Sequence, residues 1–202
     1  MKLEKEIIFS EKIASFISHE LRNILAVIKE NTGLMDDLIL MGKNISENSR
    51  FSELTKTTLS QVKSGEEITL LLNKFAHLND KQVEKFNAYL IIDELVRLMK
   101  RPLKQKELSV SLDKIEEVNI ETSKFYFQMI LYFIIDENIS KSSSGEVIAI
   151  SSERKDGLQL FFKSDSAKSA DANKLNEELD EHLSLLNGKI LKQDSSIVFS
   201  IK

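Results

Sequence analysis

The 202-residue sequence predicts an α+β fold in two parts. The first is an N-terminal antiparallel helical hairpin suited to forming a four-helix bundle in a dimer, and the second is an α/β sandwich. Three observations predict this. An apolar seven-residue repeat runs from Leu3 to about Met41, a Gly-, Asn- and Ser-rich break follows, and beyond residue 81 short alternating segments are interspersed with strongly apolar helical ones.

The elements can be justified in chain order. Ile7, Ala14, Leu21, Ile28 and Met35 fall seven residues apart, and Ile17, Ile24 and Leu38 fill most of the offset positions. A stripe that persists this long reads as a helix in a bundle, about 50 Å in length and too long to stand alone. "GKNISENSRFSE" breaks it at Gly42, and a second helix is expected from about Arg50 to Leu78, with Leu54, Val62, Ile68, Leu71, Leu72, Phe75 and Leu78 on its apolar face. One hairpin leaves a seam exposed, so two copies pairing is the expected way to bury it. Residues 1–80 form this first domain, and residues 81–202 the second.

In the second domain "VEKFN" reads as a short strand and "AYLIIDELVRLMKRPLKQK" as an amphipathic helix interrupted near Pro102. "ELSVSLD" alternates as a strand does, and "SKFYFQMILYFIIDENISK" is a strongly apolar helix. "GEVIAISSERKDGLQLFFKSD" reads as two strands joined at Lys155–Gly157. "ANKLNEELDEHLSLLNG" reads as one helix closed by Gly188, and "KILKQDSSIVFSIK" as two final strands. The simplest assembly has helices covering one face of a sheet.

Composition excludes several function classes. The net charge of −4 offers no basic footprint for nucleic acid or an anionic membrane surface. The absence of cysteine removes disulfides and thiolate metal sites. The longest apolar run, "MILYFII", is far short of the ~20 residues a spanning helix needs, and "MKLEKEIIFS" does not fit a signal peptide. A soluble, cytoplasmic protein is expected. One proline and six glycines suit a helix-rich chain better than one that cradles phosphates in glycine loops.

His19 is one of three histidines. With Ala14 and Leu21 as core positions it lies on the outer face of the first helix, with Asn23 one turn further on. A neutral imidazole, with a pKa ordinarily near ~6.5, keeps a free nitrogen lone pair that can attack an activated phosphoryl group. Glu20 could fix the ring tautomer, and Asn23 could orient a water or an acyl phosphate. His77 and His182 lack such neighbours and read as ordinary solvated side chains. "NEELDEH" at 176–182 reads as a solvated helix face, and Lys100, Arg101, Lys104 and Lys106 as a solvated basic cluster. Phe125, Phe127, Phe133, Phe161 and Phe162 read as core.

The order of residues around His19 adds a resemblance. "FISHELRNILAVI" resembles the phosphoacceptor box of bacterial sensor histidine kinases, S-H-E-L-R-[TN]-P-L-x-x-I. Ser18, His19, Glu20, Leu21, Arg22, Asn23, Leu25 and Ile28 all fit, and Ile24 replaces the usual proline. "VEKFNAYLIIDELVRLMKRPLKQKELSVSL" is similar to the opening of that family's ATPase domain, "SKFYFQMILYFIIDENISK" to its N-box helix, and "EHLSLLNGKILKQDSSIVFSIK" to its closing helix and strands.

The departures from the family point to a degenerate ATPase domain. Counting from Gln128 puts Asp136 at the N-box asparagine and counting from Lys141 puts Asn138 there, with Asp136 preferred. Asp165, Ala167 and Ser169 stand where the glycine box D-x-G-x-G is expected. Only 21 residues lie between Asp165 and Asn187, none of them glycine, where the family has a mobile lid and a second glycine box. The resemblance therefore implies a dimeric histidine phosphotransferase that passes a phosphoryl group between response-regulator receiver domains through phospho-His19, without ATP. Glu20 and Asn23 would assist His19, and Arg22, Ala26, Val27 and Glu30 would meet the receiver, with Val27 read as exposed. No cofactor is implied for this chain, since the receiver would supply its own magnesium. The E-x-x-N pattern of Glu20 and Asn23 leaves a receiver phosphatase or sequestering regulator as the alternative. A scaffold with a vestigial His19 and an ATP-dependent kinase are more distant ones.

Overall fold

The computed structural model describes residues 2–41, 49–78, 82–113, 115, 117–154, 157–165 and 170–201. These form two compact units, Ala14–Ala76 and Met1–Ile13 with His77–Lys202.

The first unit is the helical hairpin. Helix α1 spans Lys2–Leu40 and α2 spans Ser49–Ala76. The buried row on α1 is Ile17, Ile24, Asn31 and Leu38, the offset row of the heptad pattern. Ala14, expected in the core, is exposed, and Leu21, Ile28 and Met35 are half-buried. One hairpin gives each helix a single neighbour, so only one of the two apolar rows can be covered within the chain. On α2, Leu71 is buried, whereas Val62 and Leu72 of the expected apolar face are exposed. Gly65 stands level with Ile24, since a Cβ on it would lie 3.6 Å from Ile24 Cγ2.

The second unit is built on two sheets. Strand β1 (Glu84–Asn87) leads into α3 (Ala88–Leu98) and α4 (Lys100–Gln105), followed by β2 (Ser109–Leu112) and β3 (Asn119–Thr122). Helix α5 (Lys124–Lys141) precedes the hairpin of β4 (Val147–Arg154) and β5 (Leu158–Lys163). Helices α6 (Ala172–Glu178) and α7 (Asp180–Leu185) then lead to β6 (Gly188–Gln193) and β7 (Ser196–Ile201). Strands β1 and β3 pair antiparallel as a small sheet, and the larger sheet has the order β2-β4-β5-β7-β6. In it β2 and β4 are parallel and every other pair is antiparallel. Strand β3 was not anticipated; "VNIET" is too short for its alternation to stand out.

Helix α5 is the centre of this unit. It is apolar over most of its surface, as a helix packed on several sides must be, and buries Phe127, Met129, Ile130, Leu131, Ile134 and Ile135 completely. Ser123 caps its N-terminus by accepting from the Tyr126 amide. The Lys106 ammonium donates to the carbonyls of Ile139 and Ser140 at its other end, at 2.8 and 3.0 Å. That gives one member of the basic cluster a structural task. Phe125, Phe127 and Phe162 lie in the core as expected, while Phe133 and Phe161 are half-buried.

The beginning of α1 belongs to this same unit. The Phe9 ring lies 5.6 Å from that of Phe125 and 5.5 Å from that of Tyr132. Lys5 pairs with Glu178 and sits over the Phe133 ring at 4.9 Å. The Lys5 hydrogen bond holds the Glu178 carboxyl below the ordinary carboxylate range. His182 is buried, contrary to the solvated reading, with Nε2 3.5 Å from Glu6 Oε1 and its ring 5.4 Å from that of Tyr126. "NEELDEH" is thus only partly a solvated face: Glu178 and His182 meet α1, and Asn176 accepts from the Ile190 amide at 2.9 Å.

Three local expectations need correction. The helix broken by Pro102 ends earlier, at Leu98 with Met99 as its cap, because the ring would clash with the carbonyl four residues before it. Pro102 instead occupies the first turn of α4, where a missing N–H costs nothing. The segment 172–187 is two helices with a break at Leu179. It closes on Asn187 in the left-handed conformation (φ 50°), while Gly188 is the first residue of β6. A Cβ on Gly188 would come within 3.1 Å of the Phe199 ring, so close strand packing explains that glycine. Lys155 and Asp156 of the β4–β5 connection, and Ala167 and Ser169, lie outside the described residues.

Candidate functional site

Helix α1 presents His19, Asn23, Ala26, Val27 and Glu30 along one side, because residues three and four apart share a face. His19 is half-buried and Asn23 exposed. The Asn23 Nδ2 lies 3.2 Å from His19 Nδ1, so the two side chains form a unit one helical turn long. That contact engages Nδ1 and leaves Nε2 as the ring nitrogen open to an incoming group. Glu20, the expected holder of the ring, is half-buried, and no hydrogen bond or ion pair joins it to His19. Its side chain leaves the helix about 100° around from that of His19.

Arg22, Ala26 and Glu30 are exposed around this pair. Val27 is half-buried rather than exposed. The arrangement is an open imidazole on a rigid helix, with an amide neighbour, a nearby cation and a mixed apolar–polar strip. It can offer a nucleophilic nitrogen to a group delivered from outside.

The second unit separates the two N-box candidates. Asn138 is fully buried, with Nδ2 donating to the Ile134 carbonyl at 2.8 Å and Oδ1 accepting from Ser164 at 3.4 Å. Its amide serves the core. Asp136 is the exposed member. Loss of hydration around its carboxyl raises its pKa above the ordinary aspartate value, with Lys12 and Lys106 opposing the effect and Glu137 adding to it. Burial and that same carboxylate also push the Tyr132 hydroxyl upward.

Between Asp165 and Asn187 the described residues 170–186 are taken up by α6 and α7, both packed on β6. A depression of about 240 Å³ is lined there by Ala170, Asp171, Ala172, Asn173 and Lys192. Its charged groups are already engaged: Asp171 accepts from the Lys174 amide at 3.0 Å, and Lys192 donates to the Ala170 carbonyl at 3.3 Å. Among the described residues no cluster of three or more His, Cys, Asp or Glu could hold a metal ion, and no helix is long and apolar enough to cross a membrane.

No protein-family model and no curated relative matches the chain. Solved structures do. The cytoplasmic segment of histidine kinase QseC aligns with a TM-score of 0.50 at 10% identity, over 68% of this chain and 93% of that one. The fold is that of a histidine-kinase core. Histidine kinase AdeS of Acinetobacter baumannii aligns at 20% identity with a TM-score of 0.49, over 91% of this chain and 95% of that one. Histidine kinase ThkA, solved in complex with the response regulator TrrA, aligns at 14% identity with a TM-score of 0.44, over 99% of this chain and 65% of that one. At these identities the likeness is one of fold, and the helical hairpin followed by a mixed sheet with helices is its content.

Proposed function

We propose that the chain is a cytoplasmic histidine phosphotransferase of a two-component phosphorelay, acting as a homodimer. A phosphorylated receiver domain docks along α1, and His19 Nε2 attacks its acyl phosphate. The N–P bond forms as the P–O bond to the aspartyl carboxylate breaks, and the electron pair leaves on that carboxylate. The aspartate of a second receiver then takes the phosphoryl group from phospho-His19. Positioning and charge neutralisation dominate such transfers. Arg22 offers a cation close to the transferred group. Ala26, Val27 and Glu30 offer docking surface. This chain contributes no cofactor to the step, and the magnesium that steadies the phosphoryl oxygens belongs to the receiver.

The observation that carries the reading is the His19–Asn23 pair on an accessible helix face, at a position matching the phosphoacceptor box. Supply from a receiver rather than from ATP is supported by the second unit. The Asn138 amide is turned into the core, and α6 and α7 fill the span where a nucleotide lid belongs. The homodimer is supported by the half-buried row of Leu21, Ile28 and Met35. A groove of about 780 Å³ on α2, lined in part by Gly65, Thr69, Leu70 and Leu72, adds to that support.

The test is uptake of radiolabelled phosphate by the wild type and by His19→Ala, first with ATP alone and then with a phosphorylated receiver. Acid-labile label is expected on the wild type only with the receiver, and none on the variant. Label from ATP alone would make the protein a kinase. Faster loss of phosphate from the receiver, with no label on His19, would favour the phosphatase reading, which the E-x-x-N spacing of Glu20 and Asn23 also supports.

A further inference from the structure

Resting on the reading of His19 as phosphoacceptor, we propose that the Asn23 carboxamide is a positioning residue that selects the tautomer of His19. In this role the approaching phosphoryl group turns the amide to make the ring nucleophilic. A neutral imidazole has one N–H donor and one lone-pair acceptor, and which nitrogen carries the proton is set by the hydrogen bond the other ring atom makes. Here Asn23 Nδ2 faces His19 Nδ1 at 3.2 Å. An amide N–H can only donate, so Nδ1 must offer its lone pair and the ring proton resides on Nε2. The open nitrogen then has no lone pair with which to attack phosphorus. This is a resting arrangement.

Turning the carboxamide half a revolution exchanges its oxygen and nitrogen without moving either side chain. The ring changes tautomer with it: Nε2–H gives its proton to solvent water and Nδ1 takes one from water, so that Oδ1 accepts from Nδ1–H and Nε2 presents its lone pair outward. The two orientations differ in what the outer end of the amide offers a partner: a carbonyl oxygen at rest and an N–H₂ after the turn. Phosphoryl oxygens are acceptors only. A phosphoryl group arriving beside His19 is repelled by the resting Oδ1 and attracted by the turned Nδ2, so it favours the orientation that frees Nε2. As the N–P bond forms and the aspartyl carboxylate departs, the Nδ1 proton stays on the ring, and Oδ1 steadies the positive charge that develops there. Glu20 makes no bond to the ring, and Arg22 is a cation that cannot accept Nδ1–H.

The experiment reads the tautomer directly. Uniformly ¹⁵N-labelled full-length protein is compared with Asn23→Asp, Asn23→Ala and Glu20→Gln at about pH 8.5, above the ordinary imidazole pKa of about 6.5. The His19 ring-nitrogen shifts are assigned by their loss in His19→Ala. The wild type is expected to hold its ring proton mainly on Nε2. Asn23→Asp presents only acceptors and is expected to move the Nδ1–H to Nε2–H ratio by about fivefold or more, the worth of one hydrogen bond. Asn23→Ala is expected to fall between, and Glu20→Gln to match the wild type. An unchanged ratio in Asn23→Asp, or a shift caused by Glu20→Gln, would overturn the proposal. Phosphoryl uptake from a labelled receiver is measured on the same samples, with Asn23→Ala expected to slow it about fivefold. If the tautomer follows Asn23 while no variant takes up phosphate, the tautomer assignment stands and the phosphoacceptor reading fails.

Discussion

Asp136 carries a carboxyl whose surroundings disfavour its charge. Loss of hydration around it is the main cause, Glu137 adds to it, and Lys12 and Lys106 only partly compensate. A carboxyl raised in the folded state weakens folding once it ionises. The penalty is absent below the ordinary aspartate value of about 3.9, grows as the pH rises, and is complete above the raised folded value. Asp136→Asn removes it, and so is expected to raise the thermal midpoint at pH 7 while leaving it unchanged near pH 3. Because the side chain reaches solvent, screening holds the gain below about 1 kcal/mol, or roughly 2–4 °C for a chain of this size. Midpoints of both proteins across that pH range check this, and a lower midpoint at pH 7 would mean that Lys12 and Lys106 bind the carboxylate after all. At this scale the sequence spoke clearly about His19 and Asn23, because a spacing of four on a helix is a statement about space. It misplaced His182 on the surface, because its partner Glu6 lies at the opposite end of the chain. No hydrogen bond joins Glu20 to the His19 ring, since adjacency in sequence points Glu20 about 100° away around the helix.

The hairpin contains a polar layer that no heptad of leucines would need. Ile24 and Gly65 stand level. Asn31 is seven residues further along α1 and Thr58 seven residues back along antiparallel α2, so both lie about 10 Å from that level in the same direction. Asn31 Nδ2 and Thr58 Oγ1 are both buried without a hydrogen-bond partner. A buried unpaired polar group costs about 1–3 kcal/mol. An asparagine at a buried heptad position is a known device for choosing register and copy number at the expense of stability. Asn31→Leu is therefore expected to raise the thermal midpoint and to replace a single oligomeric species with a mixture in sedimentation velocity. A lower midpoint would show that Asn31 is hydrogen-bonded in solution. The heptad was legible because its period is regular; which of its two rows the hairpin buries was not, because both rows are apolar. Asn31 escaped notice for a related reason, since a search for apolar periodicity passes over the polar residue that interrupts it.

At the scale of the whole molecule, one helix serves two cores. The residues of α1 up to Ile13 cluster with 77–202, while those from Ala14 cluster with α2. The change of texture near residues 78–82 announces where the second half of the chain begins. Nothing in the continuous seven-residue repeat announces that Phe9 and Ile13 complete a core whose other members lie more than a hundred residues later. Both are fully enclosed, and Phe9 packs edge-on to Phe125 and at a tilt to Tyr132. Removing a buried phenylalanine side chain costs about 3–5 kcal/mol, a large share of the stability of any domain. A fragment of residues 77–202 should therefore unfold at lower denaturant than the same unit within the full chain, and should bind a hydrophobic dye that the full chain excludes. Phe9→Ala in the full chain should reproduce most of that loss, whereas Leu3→Ala, at an exposed position on the same segment, should not. The comparison of urea midpoints for these proteins decides the matter. If the fragment unfolds as late and as cooperatively as the full chain, the start of α1 is a passenger on that surface and not part of its core. If it unfolds early and Phe9→Ala follows it, Phe9 and Ile13 are members of the second unit's core.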